Sequence, residues 1–430
     1  MAKPLRVCII GGASTYTPEL IDGFVERQDE LAPAQIVLMD IDEGRLGVVG
    51  ALAKRMLRAA NSPIELLTTT SRDEALPTTD FVVIQIRVGG NRQRVVDERI
   101  PLRYGVVGQE TTGPGGFANA LRTIPVMLDL AAEMERLCPQ AWLINFTNPS
   151  GLLTEALLKH SSTRPIGLCN LPLNMAHQVA GYLDVAPSRI HLDYVGLNHL
   201  SWVRCVALDG RDVSELVLAK AIEEARQAKD GPSVFDPELL ESLGMLPCYY
   251  LRYYYHQEQV VEEQRKAGRT RGEAVLDMET RLLAMYADPQ LDEKPPELEQ
   301  RGGAHYSSAA VSLIAAIARN KNELHIVNCE NRGALADLPV DSVVELPCLV
   351  GAAGAIPRSV GRLPAGIRGL IQAVKAYEEL TISAAVTGDR QRALQALLAH
   401  PLVPSFRVAK ALLADILEAN RSYLPQFFSR

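Results

Sequence analysis

The segment LRVCIIGGASTYTPEL (5–20) places a strand, a glycine turn and a helix start in immediate succession. Its first part, LRVCII (5–10), is short, apolar and rich in β-branched residues, which predicts a buried strand that stops at Gly11-Gly12. The residues Thr17-Pro18-Glu19 then suit a helix start, with Thr17 at the N-cap, a first-turn proline and an acidic side chain that complements the helix dipole. The segment therefore predicts the first strand–turn–helix unit of an α/β fold.

The alternation of strand and helix continues along the chain. Further apolar runs that are typical of strands are QIVLMD (35–40), DFVVIQI (80–86), AWLINF (141–146), PIGLCN (165–170) and HLDYVGLNHL (191–200). Helices are predicted over 47–60 and 119–137, and from about residue 210 the pattern is mostly helical, with SVVELPCLV (342–350) as the one clear late strand. Such alternation predicts parallel βαβ units wound right-handedly, with helices on both faces of a doubly wound sheet.

Length, charge and cysteine usage exclude several functional classes. The 430 residues favour two domains, and a hydrophobic content of 47% supplies a sizeable core. A net charge of −7 argues against a nucleic-acid or anionic-membrane partner, which would require a basic excess. No apolar run approaches the roughly 18–20 residues that cross a bilayer, and MAKPLRVCII (1–10) has no signal-peptide pattern. Seven scattered cysteines without a CxxC motif indicate free thiols, so we expect a cytoplasmic protein.

The turn at residues 11–16 carries a dinucleotide signal. Backbone N–H groups and the positive end of a helix together hold a pyrophosphate, although GGASTY departs from GxGxxG at Ala13 and Tyr16. Asp40 ends the second strand, where a carboxylate would bind the adenosine ribose hydroxyls and favour NAD over NADP. The candidate cofactor-binding residues are Gly11, Gly12, Ala13, Ser14, Thr15 and Asp40. The alternative is an ordinary tight turn with a solvated aspartate.

Four other polar clusters suggest ligand binding. Residues 86–116 contain five arginines among glycines, which suits an anionic ligand, while the alternative is a solvated basic loop. NFTNPSG (145–151) either holds ligand hydroxyls or forms an Asn-Pro turn. Cys169 and His199 could share a divalent metal, or be a buried thiol and a core histidine. PCYYLRYYYH (247–256) contains five tyrosines, which more often pack than react.

Taken together and in this order, these segments resemble glycoside hydrolase family 4, the NAD- and Mn-dependent glycosidases. The matching stretches are GGASTYTPEL (11–20), VLMDID (37–42), IRVGG (86–90), DERIPLRYGVVGQETTGPGG (97–116), NFTNPSG (145–151), GLCNLP (167–172), GLNHLSW (196–202), YLRYYY (250–255) and VVELPCLV (343–350). One departure is Ala13, where members more often have glycine. The resemblance implies an N-terminal NAD-binding domain akin to that of lactate and malate dehydrogenases, here residues 1–168. It also implies a C-terminal mixed α/β domain, here 169–430, that carries catalytic, substrate and oligomer contacts.

The resemblance also implies roles for residues at matching positions. Cys169 and His199 would bind the divalent metal, normally Mn²⁺. Asn148 and Arg94 match substrate-binding positions, and Arg271 resembles a second arginine that reaches the sugar phosphate. That last match has a competing register, in which the phosphate-binding residue is Arg269.

Two further matches concern the chemistry. Tyr250 matches the tyrosine proposed as catalytic base, with Tyr249 as the other register. Asn170 follows the metal cysteine, where members acting on 6-phospho-α-glucosides have an aspartate that can act as acid. Asparagine at that position resembles the 6-phospho-β-glucosidases and leaves water or another group to assist the leaving alcohol.

The implied reaction is hydrolysis without consumption of NAD. In it, NAD⁺ oxidises C3 of the sugar, a metal bound to the C2 and C3 oxygens acidifies the C2 proton, and Tyr250 removes that proton. The aglycone is eliminated, water adds, and NADH reduces C3 again. The expected substrate is a phosphorylated disaccharide or β-glucoside, and the expected assembly is a homodimer or homotetramer.

Other functions fit parts of the sequence. A family member could act on an unphosphorylated or uronate glycoside instead. A hydroxy-acid dehydrogenase would fit the N-terminal half alone, but it needs a catalytic histidine with a carboxylate partner. A dinucleotide-sensing regulator would need a basic DNA-binding module, and none is evident.

Overall fold

The computed structural model describes residues 4–31, 33–227, 234–301 and 306–428. The strands are β1 Leu5–Ile10, β2 Pro33–Met39, β3 Glu65–Thr69, β4 Phe81–Ile84, β5 Trp142–Asn145, β6 Arg164–Gly167, β7 Ile190–Leu197, β8 Leu200–Leu208, β9 Arg211–Asp212, β10 Leu246–Pro247, β11 Glu323–Glu330, β12 Val343–Gly351 and β13 Gly354–Pro357.

The α-helices alternate with these strands in the first half and dominate the second. They are α1 Thr17–Glu26, α2 Gln28–Leu31, α3 Glu43–Ala59, α4 Arg72–Ala75, α5 Gly90–Arg103, α6 Gly113–Leu137, α7 Ser150–His160, α8 Leu171–Leu183, α9 Ser214–Gln227, α10 Pro237–Leu243, α11 Arg252–Tyr255, α12 Gln257–Lys266, α13 Arg271–Tyr286, α14 Tyr306–Ala318, α15 Ala365–Thr387, α16 Arg390–Ala399 and α17 Phe406–Ala419. Within the described ranges, none of them combines the length and apolarity that a membrane-spanning helix requires.

A nine-stranded sheet forms the centre of the molecule, in the order β13-β12-β11-β6-β5-β4-β1-β2-β3. The six strands from β3 to β6 are all parallel and follow the order of a dinucleotide-binding fold, which confirms the predicted N-terminal doubly wound sheet. The other three strands are antiparallel. A smaller antiparallel sheet contains β7 to β10, so the second half is mixed α/β, as expected.

The central sheet joins the two predicted domains. Strand β11, from the second half of the chain, pairs with β6 through Asn328 and Gly167. Strand β12 also packs against β7 of the smaller sheet. The boundary at residue 168 therefore stays a prediction, since the main hydrogen-bonded sheet extends across it.

Sequence patterns located the buried strands well and the amphipathic ones poorly. The prediction omitted β3, β9, β10, β11 and β13, and it gave a single strand over 191–200 where the structure has β7 and β8 joined by a turn at residues 198–199. DFVVIQI therefore contributes the fourth strand and not the third. Strand β3 has only one buried residue, and β11 has exposed residues at its start, so neither reads as an apolar run. The N-cap prediction was wrong by one residue: Tyr16 caps α1, while the Thr17 hydroxyl donates to the Gly12 carbonyl at 2.8 Å.

Candidate functional site

The predicted site residues surround one cleft at the carboxyl ends of the parallel strands. The cleft has a volume of about 1250 Å³ and opens where β1, β2, β4 and β5 end. Its lining includes the predicted residues Gly11, Ala13, Ser14, Asp40, Arg94, Asn148, Asn170, Tyr250 and Arg271. The other predicted residues, Gly12, Thr15, Cys169 and His199, are buried and do not line it. Folding therefore brings together residues that are up to 260 positions apart, since Gly11 and Arg271 line the same cleft.

The glycine turn is closed onto the end of β2. The backbone N–H groups of Gly11 and Gly12 both donate to the Met39 carbonyl at 2.9 Å. A Cβ at Gly11 would lie 2.7 Å from the carbonyl oxygen of Gln85, and the φ of Gly11 is +87°. Both facts require glycine at this position, because a side chain would be in the left-handed region and would clash with the backbone directly after β4. The turn is thus packed tightly against the sheet, as in the glycine turns that bind dinucleotides.

Asp40 is oriented by the same turn. One of its carboxylate oxygens accepts from the Ala13 N–H at 2.9 Å and the other from the Asp42 N–H at 3.1 Å. The side chain is half-buried and faces the cleft. These contacts hold a carboxylate at the position where it can accept ribose hydroxyls. Thr15 is fully buried and its carbonyl accepts from the Tyr286 hydroxyl at 2.8 Å, so it supports the turn from behind.

Another part of the cleft lining contains arginines whose charges are compensated by neighbouring glutamates. Arg94 pairs with Glu98 at 2.8 Å and with Glu110 at 3.0 Å, and Glu110 also pairs with Arg87. Arg87 and Arg94 are mostly buried, so the alternative of a solvated basic loop is wrong for these two. The segment is also partly helical, since α5 spans residues 90–103 of it. Arginines held in this way by carboxylates present fixed donors to an anion.

Arg269 and Arg271 lie in different environments in the structure. Arg271 begins α13 and lines the cleft. Arg269 lies outside it, with half of its side chain exposed, and forms an ion pair with Asp277. Only Arg271 of this pair faces a ligand that occupies the cleft.

Asn148 presents an unused acceptor to the cleft. The Asn119 side chain donates to the Asn148 carbonyl at 2.9 Å, which fixes the backbone of the turn after β5. Among the described residues, the buried Oδ1 of Asn148 has no hydrogen-bond partner. A buried acceptor without a partner costs about 1–3 kcal/mol, which a ligand hydroxyl would recover.

Cys169 and His199 lie next to each other in the structure. The Sγ of Cys169, after β6, lies 3.4 Å from Nε2 of His199, in the turn between β7 and β8. Two such ligands on one ion are about 3.1–3.6 Å apart, given bonds near 2.3 Å to sulfur and 2.1 Å to nitrogen. The described residues contain no group of three or more His, Cys, Asp or Glu side chains around a common point. A metal held here would therefore keep open positions for oxygen ligands from substrate and water.

Burial keeps this pair neutral without a cation. It lowers the pKa of His199 to about 4 and raises the pKa of the Cys169 thiol well above its ordinary value. The imidazole is thus available as a neutral ligand, and only a bound cation would deprotonate the thiol at neutral pH. The Leu171 N–H already points at Sγ, at 3.4 Å, and would stabilise the thiolate.

Tyr250 lies directly on the histidine. Its ring is parallel to that of His199, with 3.8 Å between centroids and 1° between planes. Burial raises the pKa of Tyr250 well above 10, with Tyr253 and Cys169 adding to the effect and Arg94 opposing it. Tyr249 is 44% exposed and meets Tyr250 edge-on, so it lies farther from the Cys169–His199 pair. The structure thus distinguishes the two registers by contact with His199.

Sequence reasoning missed a polar layer behind the pair. Glu345 of β12 is fully buried and accepts from the hydroxyl of Tyr194 at 2.7 Å and from the amides of Asn198 and Asn328 at 3.1 and 2.9 Å. Burial raises the pKa of Glu345 to about 7. The sequence signal was present, because a glutamate within the apolar run VVELPCLV departs from the strand pattern. Through Asn198 this carboxylate fixes the turn that presents His199.

Comparison with known proteins agrees with this geometry. The model of the family 4 glycosyl hydrolases matches residues 6–185, and that of the family's C-terminal domain matches residues 194–403. A probable 6-phospho-beta-glucosidase of Bacillus subtilis is 46% identical, over 100% of this chain and 99% of its own.

Solved structures extend the likeness to three dimensions. The 6-phospho-beta glucosidase of Thermotoga maritima with NAD and glucose-6-phosphate is 36% identical, with a TM-score of 0.91 over 98% of this chain and 99% of that one. A second structure of that enzyme contains manganese, NAD⁺ and glucose-6-phosphate, with 35% identity and a TM-score of 0.89 over 97% of this chain and 99% of that one. Malate dehydrogenase of Cryptosporidium parvum, at 14% identity, 89% and 99% coverage and a TM-score of 0.56, shares the fold alone. The chain belongs to the family 4 glycosyl hydrolases and is an enzyme of that family.

Proposed function

We propose that this chain hydrolyses 6-phospho-β-glucosides with bound NAD and a bound divalent metal, Mn²⁺ or a related ion. One observation carries the proposal: a single cleft joins the glycine turn and Asp40 to the anion-binding arginines, directly beside the Cys169–His199 pair. The Thermotoga maritima structures with NAD, manganese and glucose-6-phosphate support the same three components.

Each part of the cleft has a task in this proposal. The turn at residues 11–15 and Asp40 hold the dinucleotide, and Arg94, Arg271 and Asn148 bind the sugar and its 6-phosphate. Cys169 and His199 hold the metal. When bound, the dinucleotide supplies reversible oxidation at C3, and the metal supplies Lewis acidity at C2.

Tyr250 removes the C2 proton in this scheme. Its position over His199 places the phenol beside the metal ligands. The raised pKa of Tyr250 in the cation-free protein means that the phenol is protonated at neutral pH. A cation held by Cys169 and His199 would lower that pKa, so the base becomes active only when the metal site is filled.

The preference for β-glucosides rests on Asn170. It lines the cleft directly after Cys169 and occupies the position before the first residue of α8. An amide cannot deliver a proton to a leaving alcohol as a carboxylic acid can. The 46% identity with a probable 6-phospho-beta-glucosidase supports the same branch.

A dehydrogenase fits the site less well. A catalytic histidine of that class is oriented by a carboxylate, whereas Nδ1 of His199 contacts the hydroxyl of Thr111 at 3.1 Å.

The assay that tests the proposal is hydrolysis of nitrophenyl 6-phospho-β-glucoside, with NAD⁺ and Mn²⁺ added singly and together. We expect nitrophenol release only with both and no net accumulation of NADH. Release without either cofactor, or NADH formed in step with product, would contradict the proposal.

The phosphate contact gives a further prediction. Replacing Arg271 by Ala should lower kcat/KM on the phosphorylated glycoside about 10- to 100-fold, because a charge-assisted hydrogen bond contributes roughly 1.5–3 kcal/mol. Arg269→Ala is the matched control, since Arg269 lies outside the cleft two residues away. Steady-state kinetics on phosphorylated and plain nitrophenyl β-glucosides measures both. Equal wild-type rates on the two substrates would remove the phosphate assignment and favour an unphosphorylated or uronate substrate.

A further inference from the structure

The loop before α6 contains an oriented chain of hydrogen bonds that ends on His199. The Oε1 of Gln109 accepts from the backbone N–H of Thr111 at 2.6 Å, from the N–H of Thr112 at 2.8 Å and from the hydroxyl of Thr111 at 2.9 Å. Two of these donors are backbone N–H groups, so the atom that receives them must be the carbonyl oxygen and not the amide nitrogen.

This assignment determines the proton positions along the chain. A threonine hydroxyl has one proton, and that of Thr111 is given to Gln109. The contact of 3.1 Å between the Thr111 hydroxyl and Nδ1 of His199 therefore requires that Nδ1 carries a proton and donates it. A neutral imidazole has a single N–H, so Nε2 keeps its lone pair. That lone pair faces Sγ of Cys169 at 3.4 Å.

The loop is held too tightly for the donors and acceptors of these hydrogen bonds to exchange roles. Gln109, Thr111 and His199 are all buried, and the Oε1 of Gln109 already accepts three hydrogen bonds. A Cβ at Gly116 would lie 2.5 Å from the carbonyl carbon of Thr111, so only glycine allows the loop to lie against the first turn of α6. The ring of Tyr250 covers His199 and prevents it from tilting.

We propose that Gln109 and Thr111 are positioning residues that hold His199 in its Nδ1–H tautomer, so that Nε2 is always directed at the metal. Both act through His199. Hydrogen-bond partners behind a metal-binding histidine typically change metal affinity 10- to 100-fold. The inference rests on the proposed metal-binding role of Cys169 and His199, and it adds the residues that prepare this pair for the ion.

The first test uses the metal-free protein and needs no activity. With ¹⁵N-labelled histidine, the two ring nitrogens of His199 are assigned by the loss of their signals in His199→Gln. We expect a protonated Nδ1 and an unprotonated Nε2. In Thr111→Val, which keeps the shape and removes the hydroxyl, this pattern should become a mixture of tautomers, and Thr111→Ser should restore it. A wild-type Nε2–H tautomer, or an unchanged pattern in Thr111→Val, overturns the inference.

The second test measures Mn²⁺ binding by electron paramagnetic resonance of the free ion, without substrate. We expect Thr111→Val to weaken binding about 10- to 100-fold and Thr111→Ser to bind as wild type does. Thr112→Val is the matched control. The hydroxyl of Thr112 forms no capping hydrogen bond to α6 and takes no part in the hydrogen bonds that link Gln109, Thr111 and His199. If Thr111→Val does not fold, the pair Thr111→Ala and Thr111→Ser gives the same comparison.

The outcomes separate this inference from the proposed function. Wild-type binding that is lost in Cys169→Ser but equal in Thr111→Val would leave the metal site in place and reject the role of Thr111. Absence of Mn²⁺ binding by the wild type would reject the metal site itself. If Thr111→Val and the control Thr112→Val both weakened Mn²⁺ binding, the effect would come from loop packing. That result would also reject the positioning role of Thr111.

Discussion

Replacing Cys169 by Ser should lower metal-dependent kcat/KM by at least about 100-fold, while NAD⁺ binding stays within a factor of about two. The thiol lies 3.4 Å from the histidine nitrogen, and the described residues supply no third side chain of the usual ligand types nearby. Loss of a hydrogen-bond partner of a metal ligand already lowers metal affinity or activity about 10- to 100-fold. Loss of one of two protein ligands should therefore lower activity more. A serine hydroxyl does not become an alkoxide under the same conditions and cannot replace the thiolate.

The measurement combines Mn²⁺ titration of the reaction rate with NAD⁺ binding by calorimetry. Cys205→Ser is the control, because Cys205 is exposed and lies outside the cleft. Dinucleotide affinity should not change in either variant, since neither Cys169 nor Cys205 lines the cleft that contains the glycine turn and Asp40. A fully active Cys169→Ser enzyme would show that the metal is bound elsewhere.

The second large effect concerns Tyr250 and the C2 proton. Hydrolysis in D₂O should place deuterium at C2 of the released sugar phosphate, because a proton removed to a phenol exchanges with solvent before it returns. Tyr250→Phe should suppress this labelling and reduce kcat about 10²- to 10⁴-fold, the usual contribution of a general base. The pKa of Tyr250 is raised by burial in the cation-free protein, so turnover should also require metal at every pH below that value.

Nuclear magnetic resonance of the product measures the label, and Tyr249→Phe is the matched control. Tyr249 is the neighbouring phenol, and it is partly exposed and does not stack on His199. NAD⁺ and Mn²⁺ binding should persist in both variants. Hydrolysis with no deuterium at C2 would indicate direct displacement at C1 by a carboxylate and would rule out elimination.

Local sequence predicted most strands of the first half of the fold and several of the candidate residues. Short apolar runs such as LRVCII, each followed by a turn and a helix, specify a parallel sheet, because burial on both faces requires continuous apolar strands. Gly11 and Asp40 follow from the same pattern, since both lie at the carboxyl ends of strands. The resemblance of QETTGPGG and GLCNLP to family 4 supplied the roles that spacing could not.

The sequence did not show which residues face each other. Strand β11 was missed because antiparallel pairing with β12, and not a continuous apolar run, makes it a strand. Strand β13 pairs with β12 through a hairpin at residues 352–353 and is too short and too exposed to form an apolar run. Arg269 and Arg271 are equivalent as sequence, and only the start of α13 turns Arg271 into the cleft. Cys169 and His199 are 30 residues apart and lie within 3.4 Å of each other only because two separate turns converge.

Tertiary structure also decided what stands behind these residues. Glu345 and Thr111 contribute through buried hydrogen bonds to Asn198 and His199, which lie more than 80 positions away from either. A polar side chain in an apolar environment must find a partner, and the partner's identity depends on which strands and loops are packed together. Sequence therefore supplied the chemical groups of this enzyme, and packing of distant segments set their direction, protonation and access to the cleft.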